Sequence, residues 1–325
     1  MKQKVFYNEV TWMKVIATFF ITWFHFQFVA PQKYAPLFIG GVIGNSLFFY
    51  ASGYLLKFKE EKYIGNWIIN KCIRILPSIW VFSVIACLIS FGDYKIVWYN
   101  FLYPTQFWFI NCILCFFVLI YFAYRILRLK TSSNVMGGHV LVVLGALAMI
   151  GYVWNYIENV NHTRVVLDEG GFKCWFYFFF FFLWGYYDHS EGRKFIGNRK
   201  SVFWFMLSII LFYTYKKIGS RYETMIYMQF LFIPLLLANM LYHARYLVNF
   251  LMQIHIPVKM QSCLGYIANL TLDIYIVQVL IIQVIGNQLP FPLNILVLLI
   301  IIFIASVINH KIASRISDAL TSILK

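Results

Sequence analysis

The sequence predicts an all-α protein, a polytopic bundle of about ten membrane-spanning helices with both termini in the cytoplasm. Of its 325 residues, 62% are hydrophobic and only 12% are charged, whereas soluble domains average about 25% charged residues. Apolar runs of about 20 residues, the length that crosses a bilayer, recur along the chain with short polar connections between them. These connections leave no room for a separate soluble domain, so we expect residues 1–325 to form a single integral-membrane domain.

Ten apolar runs, taken in order, give ten predicted spans. The first is long enough to cross the membrane and lacks the small-residue cleavage pattern of a signal peptide, so it is retained as a helix. The sixth and seventh are short, and a tight turn at 287–290 joins the last two. The spans are 12–30, 36–56, 75–92, 107–127, 138–156, 172–187, 201–216, 224–242, 264–286 and 290–310.

The distribution of basic residues predicts the orientation and excludes one class of partner. With the N-terminus in the cytoplasm, 20 of the 27 lysines and arginines fall on the cytoplasmic side, as the positive-inside rule requires. The net charge of +15 therefore does not indicate nucleic-acid binding, because the cations lie between apolar runs and form no basic arm. Cys112 and Cys115 have a CxxC spacing without a second pair, so the cysteines are interpreted as packing residues and no metal site is predicted.

His25 is the most unusual residue of the first span. A titratable ring inside hydrocarbon is costly and by default marks a functional site. Lys14 precedes it by eleven residues, three helical turns plus about 20°, so both side chains share one face about 16 Å apart along the axis. This stripe predicts a lined tunnel rather than a plain anchor, although a helix–helix hydrogen bond is the alternative explanation of His25.

Asp273 is the only acidic residue that we place near the middle of a predicted span. An isolated carboxylate at that depth must be paired or protonated, and we expect His25 or Lys14 to be its partner. The six other histidines, His310 among them, lie near span ends or in loops and need no special explanation.

The largest basic cluster lies between the second and third spans. It comprises Lys57, Lys59, Lys62, Lys71 and Arg74. Because Lys71 and Arg74 are three residues apart, they share a helix face at the mouth of the third span. Cations held at a membrane face suit a phosphate-bearing cytoplasmic ligand. The alternative is an anchor for lipid headgroups.

Several segments together match a known pattern. They are the spacing of Lys14 and His25, the segment LFFYASGY at 47–54, the segment KCIRILP at 71–77, the WFI that begins at Trp108, and the segment TLDIYIVQ at 271–278. In this order and spacing the chain resembles the acyltransferase-3 family of integral-membrane O-acyltransferases over most of its length. Each segment alone is weak, and the ten-span frame adds to their combined specificity.

Two positions depart from the family pattern. Ser46 stands where many members have Asp, and Gln278 stands where many have a second histidine. Chemistry that a second histidine performs elsewhere must therefore be met here by hydrogen bonding from Gln278 or be dropped. Gln278, Asn111 and Asn45 are each also explained as interhelical hydrogen-bonding residues.

The resemblance implies transfer of an acyl group, usually acetyl, from cytoplasmic acyl-CoA to a hydroxyl of a cell-envelope polysaccharide or lipid-linked sugar. No permanently bound cofactor is implied, since acyl-CoA is a substrate. His25 is the expected base or acyl-accepting nucleophile, and these alternatives stay open. Lys14 and Asp273 are the other expected catalytic residues, with Asp273 orienting the ring or stabilising the imidazolium.

The expected donor-binding residues are Lys71, Arg74, Ser52 and Trp108. Lys71 and Arg74 would hold the phosphates through charge-assisted hydrogen bonds. Ser52 belongs to the matched segment of the second span. Trp108 would pack against the donor or the sugar ring, although an ordinary interfacial aromatic is the alternative.

A membrane transporter or flippase for a lipid-linked sugar is the main competing function. It would use the same deep polar groups as a path but would not bind CoA, and the absence of a visible internal repeat weakens it. A glycan polymerase or glycosyltransferase would need large outer loops, whereas the longest predicted outer loop, about 157–171, is modest. The family frame favours a bacterial inner or plasma membrane, in contact with membrane lipids.

Overall fold

The computed structural model describes residues 8–56, 64–89, 107–126, 143, 145–147, 149–154, 174–192, 196–219, 222–253 and 257–324. These residues form helices and connecting turns and contain no strand, which confirms the all-α prediction. The helices are α1 (Asn8–His25), α2 (Gly41–Tyr54), α3 (Ile64–Ile89), α4 (Trp108–Ile126), α5 (Trp175–Ser190), α6 (Arg199–Gly219), α7 (Glu223–Gln253), α8 (Val258–Ile285) and α9 (Leu293–Ile323). Phe26–Phe28 and Ala35–Leu37 form 3₁₀ turns, and Gly145–Trp154 is a shorter apolar helix.

Several helices extend beyond the apolar runs that predicted them. Helix α3 begins at Ile64 rather than at 75, α7 ends at Gln253 rather than at 242, and α9 ends at Ile323 rather than at 310. Hydropathy detects only the apolar part of a helix, whereas backbone hydrogen bonding continues into polar sequence. The first helix instead ends earlier than predicted, because α1 stops at His25 rather than at 30 and a 3₁₀ turn follows.

Five segments among the described residues are long and apolar enough to cross a membrane. They are Ala35–Tyr54, Gly65–Leu88, Arg199–Ile218, Val258–Ile285 and Leu293–Ile323. The chain is therefore a multi-pass membrane protein, while the count of ten spans and the cytoplasmic termini stay predictions. The predicted outer loop at 157–171 and the cations Lys57, Lys59 and Lys62 lie outside the described residues.

The chain divides into two compact units. The first comprises Met1–Ile21, Ile39–Leu56 and Lys130–Ala268, and the second comprises Thr22–Phe38, Lys57–Leu129 and Asn269–Lys325. In the first unit, α2 packs against α5 and α6 packs against α7. In the second unit, α3 packs against α9 and also contacts α4.

Two glycines allow the close packing of α2 and α5 in the first unit. A Cβ added to Gly53 would collide with the backbone carbonyl of Phe182, and one added to Gly185 would collide with the carbonyl of Tyr50. The two backbones therefore touch at a small-residue contact of the kind that joins helices in membranes. This contact sets the separation at which side chains of α2 and α5 meet.

Ring contacts fix the directions of α3 and α4 in the second unit. The Trp67 ring lies 6.0 Å from that of Phe117 and 5.6 Å from that of Tyr121. At the other end of the pair, the Phe82 ring lies 5.7 Å from that of Phe107. Early residues of α3 thus meet late residues of α4, so the two helices run antiparallel.

The second-unit part of α8 runs parallel to α3. Asn309 of α9 donates hydrogen bonds to both the Ser78 carbonyl and the Asp273 carboxylate, which places Ser78 and Asp273 at one level. Phe82 follows Ser78 by four residues on α3 and contacts Phe107. The ring of Phe107 in turn lies 6.3 Å from that of Tyr275, two residues after Asp273 on α8. Residue numbers therefore increase in the same direction along α3 and α8.

Candidate functional site

His25 is the last residue of α1 and is half-buried. Its ring lies 5.5 Å from that of Phe24 and 6.2 Å from that of Phe28. Lys14, also half-buried, lies on the same helix, as the spacing predicted. His25 belongs to the second unit and Lys14 to the first, so the remaining geometry around His25 is that of the second unit.

A hydrogen bond joins α8 to the helical turn that precedes His25. The Thr22 hydroxyl donates to Oε1 of Gln278 over 2.8 Å. Gln278 is fully buried, with 0% of its surface exposed. Its Nε2 has no hydrogen-bond partner among the described residues. The amide is therefore fixed at one end and unused at the other.

Asp273 is paired within the second unit, but not as the sequence predicted. Its Oδ1 accepts a hydrogen bond from Asn309 over 2.7 Å, and its Oδ2 lies 2.9 Å from Nδ1 of His310. The carboxylate is 2% exposed and the imidazole 37% exposed. The expectation that His25 pairs with Asp273 is wrong, because the carboxylate is held by Asn309 and by His310, which α9 carries past the predicted span end. Lys14 belongs to the first unit, so its pairing with Asp273 stays a prediction.

His310 lies on a face of α9 that differs from its exposed isoleucine stripe but also carries exposed apolar side chains. Exposed isoleucines follow one stripe of the helix at Ile300, Ile304, Ile308 and Ile312. His310 is two residues from the last two of these, a rotation of about 200°. The exposed Phe303, seven residues before His310, lies within about 20° of it around the helix, and the buried Ser306, Asn309 and Ala313 are its other near neighbours on α9.

Lys71 and Arg74 lie on α3 as predicted, but further along it than expected. Because the helix begins at Ile64, they lie seven and ten residues past its first residue rather than at its mouth. The Lys71 ammonium lies 5.3 Å from the centre of the Trp67 ring and 5.1 Å from that of Phe117, both cation–π contacts. Arg74 is exposed. The pair retains the shared face that a three-residue spacing gives.

The two remaining predicted site residues lie in different units. Ser52 is half-buried in α2 of the first unit. Trp108 begins α4 in the second unit, half-buried, with its ring 6.0 Å from that of Phe109. The second unit thus carries His25, Asp273, Lys71, Arg74 and Trp108, whereas Lys14 and Ser52 belong to the first.

The polar groups of the second unit follow one another along its helices. On α3, Arg74 precedes Ser78 by four residues, about 6 Å, and Ser78 is level with Asp273 through Asn309. On α8, Gln278 follows Asp273 by five residues, about 7.5 Å. The cationic pair and Gln278 therefore lie on opposite sides of the Asp273 level.

The end of α1 continues this order. Thr22 is level with Gln278, and seven residues later Val29 contacts Gly286, so this segment runs parallel to α8. His25 lies three residues past Thr22, which adds about 4.5 Å along the helix axis. The levels of Arg74 and His25 are thus separated by about 18 Å along the second unit.

A buried ionic cluster in the first unit was not predicted. The Tyr50 hydroxyl donates to Oδ2 of Asp188 over 2.7 Å, and Arg245 forms an ion pair with the same oxygen. The side chains of Asp188 and Arg245 are 0% and 2% exposed. The guanidinium also lies 4.8 Å from the centre of the Trp184 ring. Asp188 and Arg245 lie just past predicted span ends, where a sequence analysis treats charges as loop residues.

Comparison with known proteins identifies the family. The family model Acyl_transf_3, described as an acyltransferase domain, matches residues 7–308. The chain belongs to the acyltransferase-3 family. No curated protein and no solved structure matches it.

Family membership confirms the resemblance found in the sequence and makes this chain a membrane acyltransferase. The acyltransferase-3 match includes Lys14, His25, Lys71, Arg74 and Asp273. It ends before Asn309 and His310, the two α9 residues that hold Asp273. Among the described residues, no group of three or more His, Cys, Asp or Glu side chains could hold a metal ion.

Proposed function

We propose that this protein transfers an acyl group, acetyl in the first instance, from cytoplasmic acyl-CoA to a hydroxyl of a cell-envelope polysaccharide or lipid-linked sugar. The observation that carries the proposal is the order of groups in the second unit of an acyltransferase-3 protein. The Lys71–Arg74 pair lies at one end and His25 lies about 18 Å further along. We place the reaction in a bacterial inner or plasma membrane.

The dimensions of the donor support this order. About thirteen bonds separate the phosphate from the sulfur in the pantetheine arm of CoA, which spans about 15 Å when extended at ordinary bond lengths. With its phosphates held by Lys71 and Arg74 through charge-assisted hydrogen bonds, the arm brings the thioester near the level of His25. Lys71 is already oriented by the Trp67 and Phe117 rings.

His25 performs the chemistry in one of two ways. As a base, it takes the proton of the acceptor hydroxyl, the oxygen attacks the thioester carbon, and the proton passes to the departing sulfur. As a nucleophile, its imidazole takes the acyl group, CoA leaves, and the hydroxyl then attacks the acyl-imidazole. Both routes convert acyl-CoA and an alcohol into an ester and free CoA.

The other predicted residues receive narrower roles. Asp273 acts as a positioning residue through His310 and Asn309, since its carboxylate is bonded to both. Trp108 packs against the donor arm or the sugar. Lys14 is assigned to the reaction on its spacing from His25 alone, and Ser52 to donor binding on the family resemblance alone.

Transfer of label from radioactive acetyl-CoA tests the proposal. Membranes that contain the wild type should transfer label to a glycan or lipid fraction, and membranes with His25→Ala should not. His189→Ala, a change at the end of α5 in the first unit, is the matched control and should behave as the wild type. Label with His25→Ala would exclude His25 from the chemistry. A wild type that neither transfers label nor binds CoA would point to a transporter of lipid-linked sugars.

A further inference from the structure

Gln278 carries a hydrogen-bond donor for which the described residues supply no acceptor. Its Oε1 is occupied by the Thr22 hydroxyl at 2.8 Å, and its Nε2 is buried without a hydrogen-bond partner among the described residues. A buried N–H group without an acceptor is costly and rare in folded proteins. An unused donor of this kind is therefore a candidate binding group for the oxygen of a bound substrate.

A purely structural amide behaves differently in the same unit. Asn294 donates through Nδ2 to the Gly286 carbonyl over 3.0 Å and accepts through Oδ1 from the Ile295 amide over 2.9 Å. Both ends of that side chain are used in joining the α8–α9 turn. In Gln278 only the acceptor end is used among the described residues, and the bond to Thr22 fixes the plane of the amide while its buried N–H groups have no acceptor.

The position of this donor relates it to His25. Thr22, which holds the amide, precedes His25 by three residues on α1 and so lies on the same helix face, about one turn away. One turn to either side of Gln278 on α8, Ile274 and Ile282 are both buried. A hydrogen bond made in such apolar surroundings is stronger than one made in water.

We propose that Nε2 of Gln278 donates a hydrogen bond to the thioester oxygen when that oxygen becomes an oxyanion during acyl transfer. This inference rests on the function proposed above. When the attacking atom bonds to the thioester carbon, the carbonyl electron pair moves onto oxygen. When the carbon–sulfur bond breaks, the pair returns and sulfur leaves as the CoA thiolate, which takes the proton. A preorganised donor at that oxygen stabilises the transition state more than the substrate.

Substitutions at Gln278 test this role. Gln278→Leu and Gln278→Glu both remove the donor, and each should lower kcat by about 10²–10³-fold, the usual effect of losing one oxyanion donor. Gln278→His supplies a ring N–H and should recover part of the rate. Binding of desulfo-CoA, which lacks the reacting centre, should be unchanged in all three and shows that the proteins are folded.

A transition-state analogue gives a readout that a structural defect would not reproduce. A trifluoromethyl ketone analogue of acetyl-CoA adds a nucleophile to form a stable tetrahedral alkoxide. Its inhibition constant should rise in Gln278→Leu by about the factor by which kcat/KM falls, as expected for a group that binds the transition state. Thr22→Val, which frees Oε1, should have a smaller effect of the same kind. Thr18→Val, one turn earlier, should have none.

The outcomes separate the inference from the proposed function. A wild type without transfer activity would overturn the proposed function and this inference with it. A wild type that is active while Gln278→Leu and Gln278→Glu keep its kcat would overturn only the oxyanion role. Equal losses of desulfo-CoA binding and of kcat would assign Gln278 to packing and would also overturn that role.

Discussion

Oδ2 of Asp273 lies 2.9 Å from Nδ1 of His310. The carboxylate is 2% exposed and the imidazole is 37% exposed. This contact, together with the bond from Asn309, ties α8 to α9 in the second unit. Because the carboxylate occupies Nδ1, a neutral His310 carries its proton there and leaves Nε2 as the acceptor. The pair therefore fixes both the position and the tautomer of a partly exposed imidazole on α9.

Asp273→Asn should impair turnover more than donor binding. The amide reverses the hydrogen bond to His310 and moves the ring proton to Nε2. We therefore expect kcat to fall about tenfold or more. The measurement is the rate of acetyl transfer beside the affinity for desulfo-CoA. Asp318→Asn, an exposed change near the end of α9, is the matched control, and an unaffected rate in Asp273→Asn would make Asp273 a packing residue.

Lys71→Ala combined with Arg74→Ala should weaken use of the donor selectively. Charge-assisted hydrogen bonds contribute about 1.5–3 kcal/mol each, so the loss of both should raise the KM for acyl-CoA by about 100-fold or more. The KM for the acceptor should not change. Lys311→Ala with Arg315→Ala removes two exposed cations from α9 instead. Equal changes in both KM values would indicate general damage and contradict the phosphate role.

Arg245→Ala should destabilise the first unit strongly. It would leave the fully buried Asp188 carboxylate without its cation, and breaking a buried pair in this way costs about 3–5 kcal/mol. Asp188→Asn with Arg245→Met should be closer to the wild type, because no buried charge is left alone. Thermal unfolding in detergent measures both. A double variant less stable than Arg245→Ala would show that the pair is not the source of the stability.

Gly53→Ala and Gly185→Ala should each destabilise the α2–α5 contact. A methyl group at either site meets backbone rather than a flexible side chain, and overpacking of this kind costs about 1–3 kcal/mol. Gly65→Ala is the matched control, since a Cβ there would meet nothing within 4 Å. This variant should be as stable as the wild type or more stable by up to about 1 kcal/mol. Equal unfolding temperatures for all three variants would contradict the close contact.

The sequence predicted the helical class, the shared helix of Lys14 and His25, and the membrane character, because each depends on local pattern. Periodicity and hydropathy are properties of short segments. The partner of Asp273 was missed because hydropathy ended the last span at 310, whereas α9 continues to Ile323. A histidine that looked terminal is in fact thirteen residues inside the helix.

The Asp188–Arg245 pair was missed for a related reason. Each residue follows the end of an apolar run, where positive-inside counting uses Arg245 only as a marker of topology and gives Asp188 no weight. Their pairing depends on the approach of α5 and α7 within the first unit, which no local pattern encodes. The unused donor of Gln278 is likewise visible only once Thr22 is seen to occupy the other end of the amide.

The length of α9 has a consequence for its surroundings. Its 31 residues extend about 46 Å, whereas the hydrocarbon core of a bilayer is about 30 Å thick. The helix must therefore tilt or project into the headgroup region. His310, seventeen residues or about 26 Å from the first residue of α9, then lies near the far boundary of the hydrocarbon. Bilayer thickness should accordingly tune how readily water reaches the His310–Asp273 pair, and thicker membranes would draw it inward.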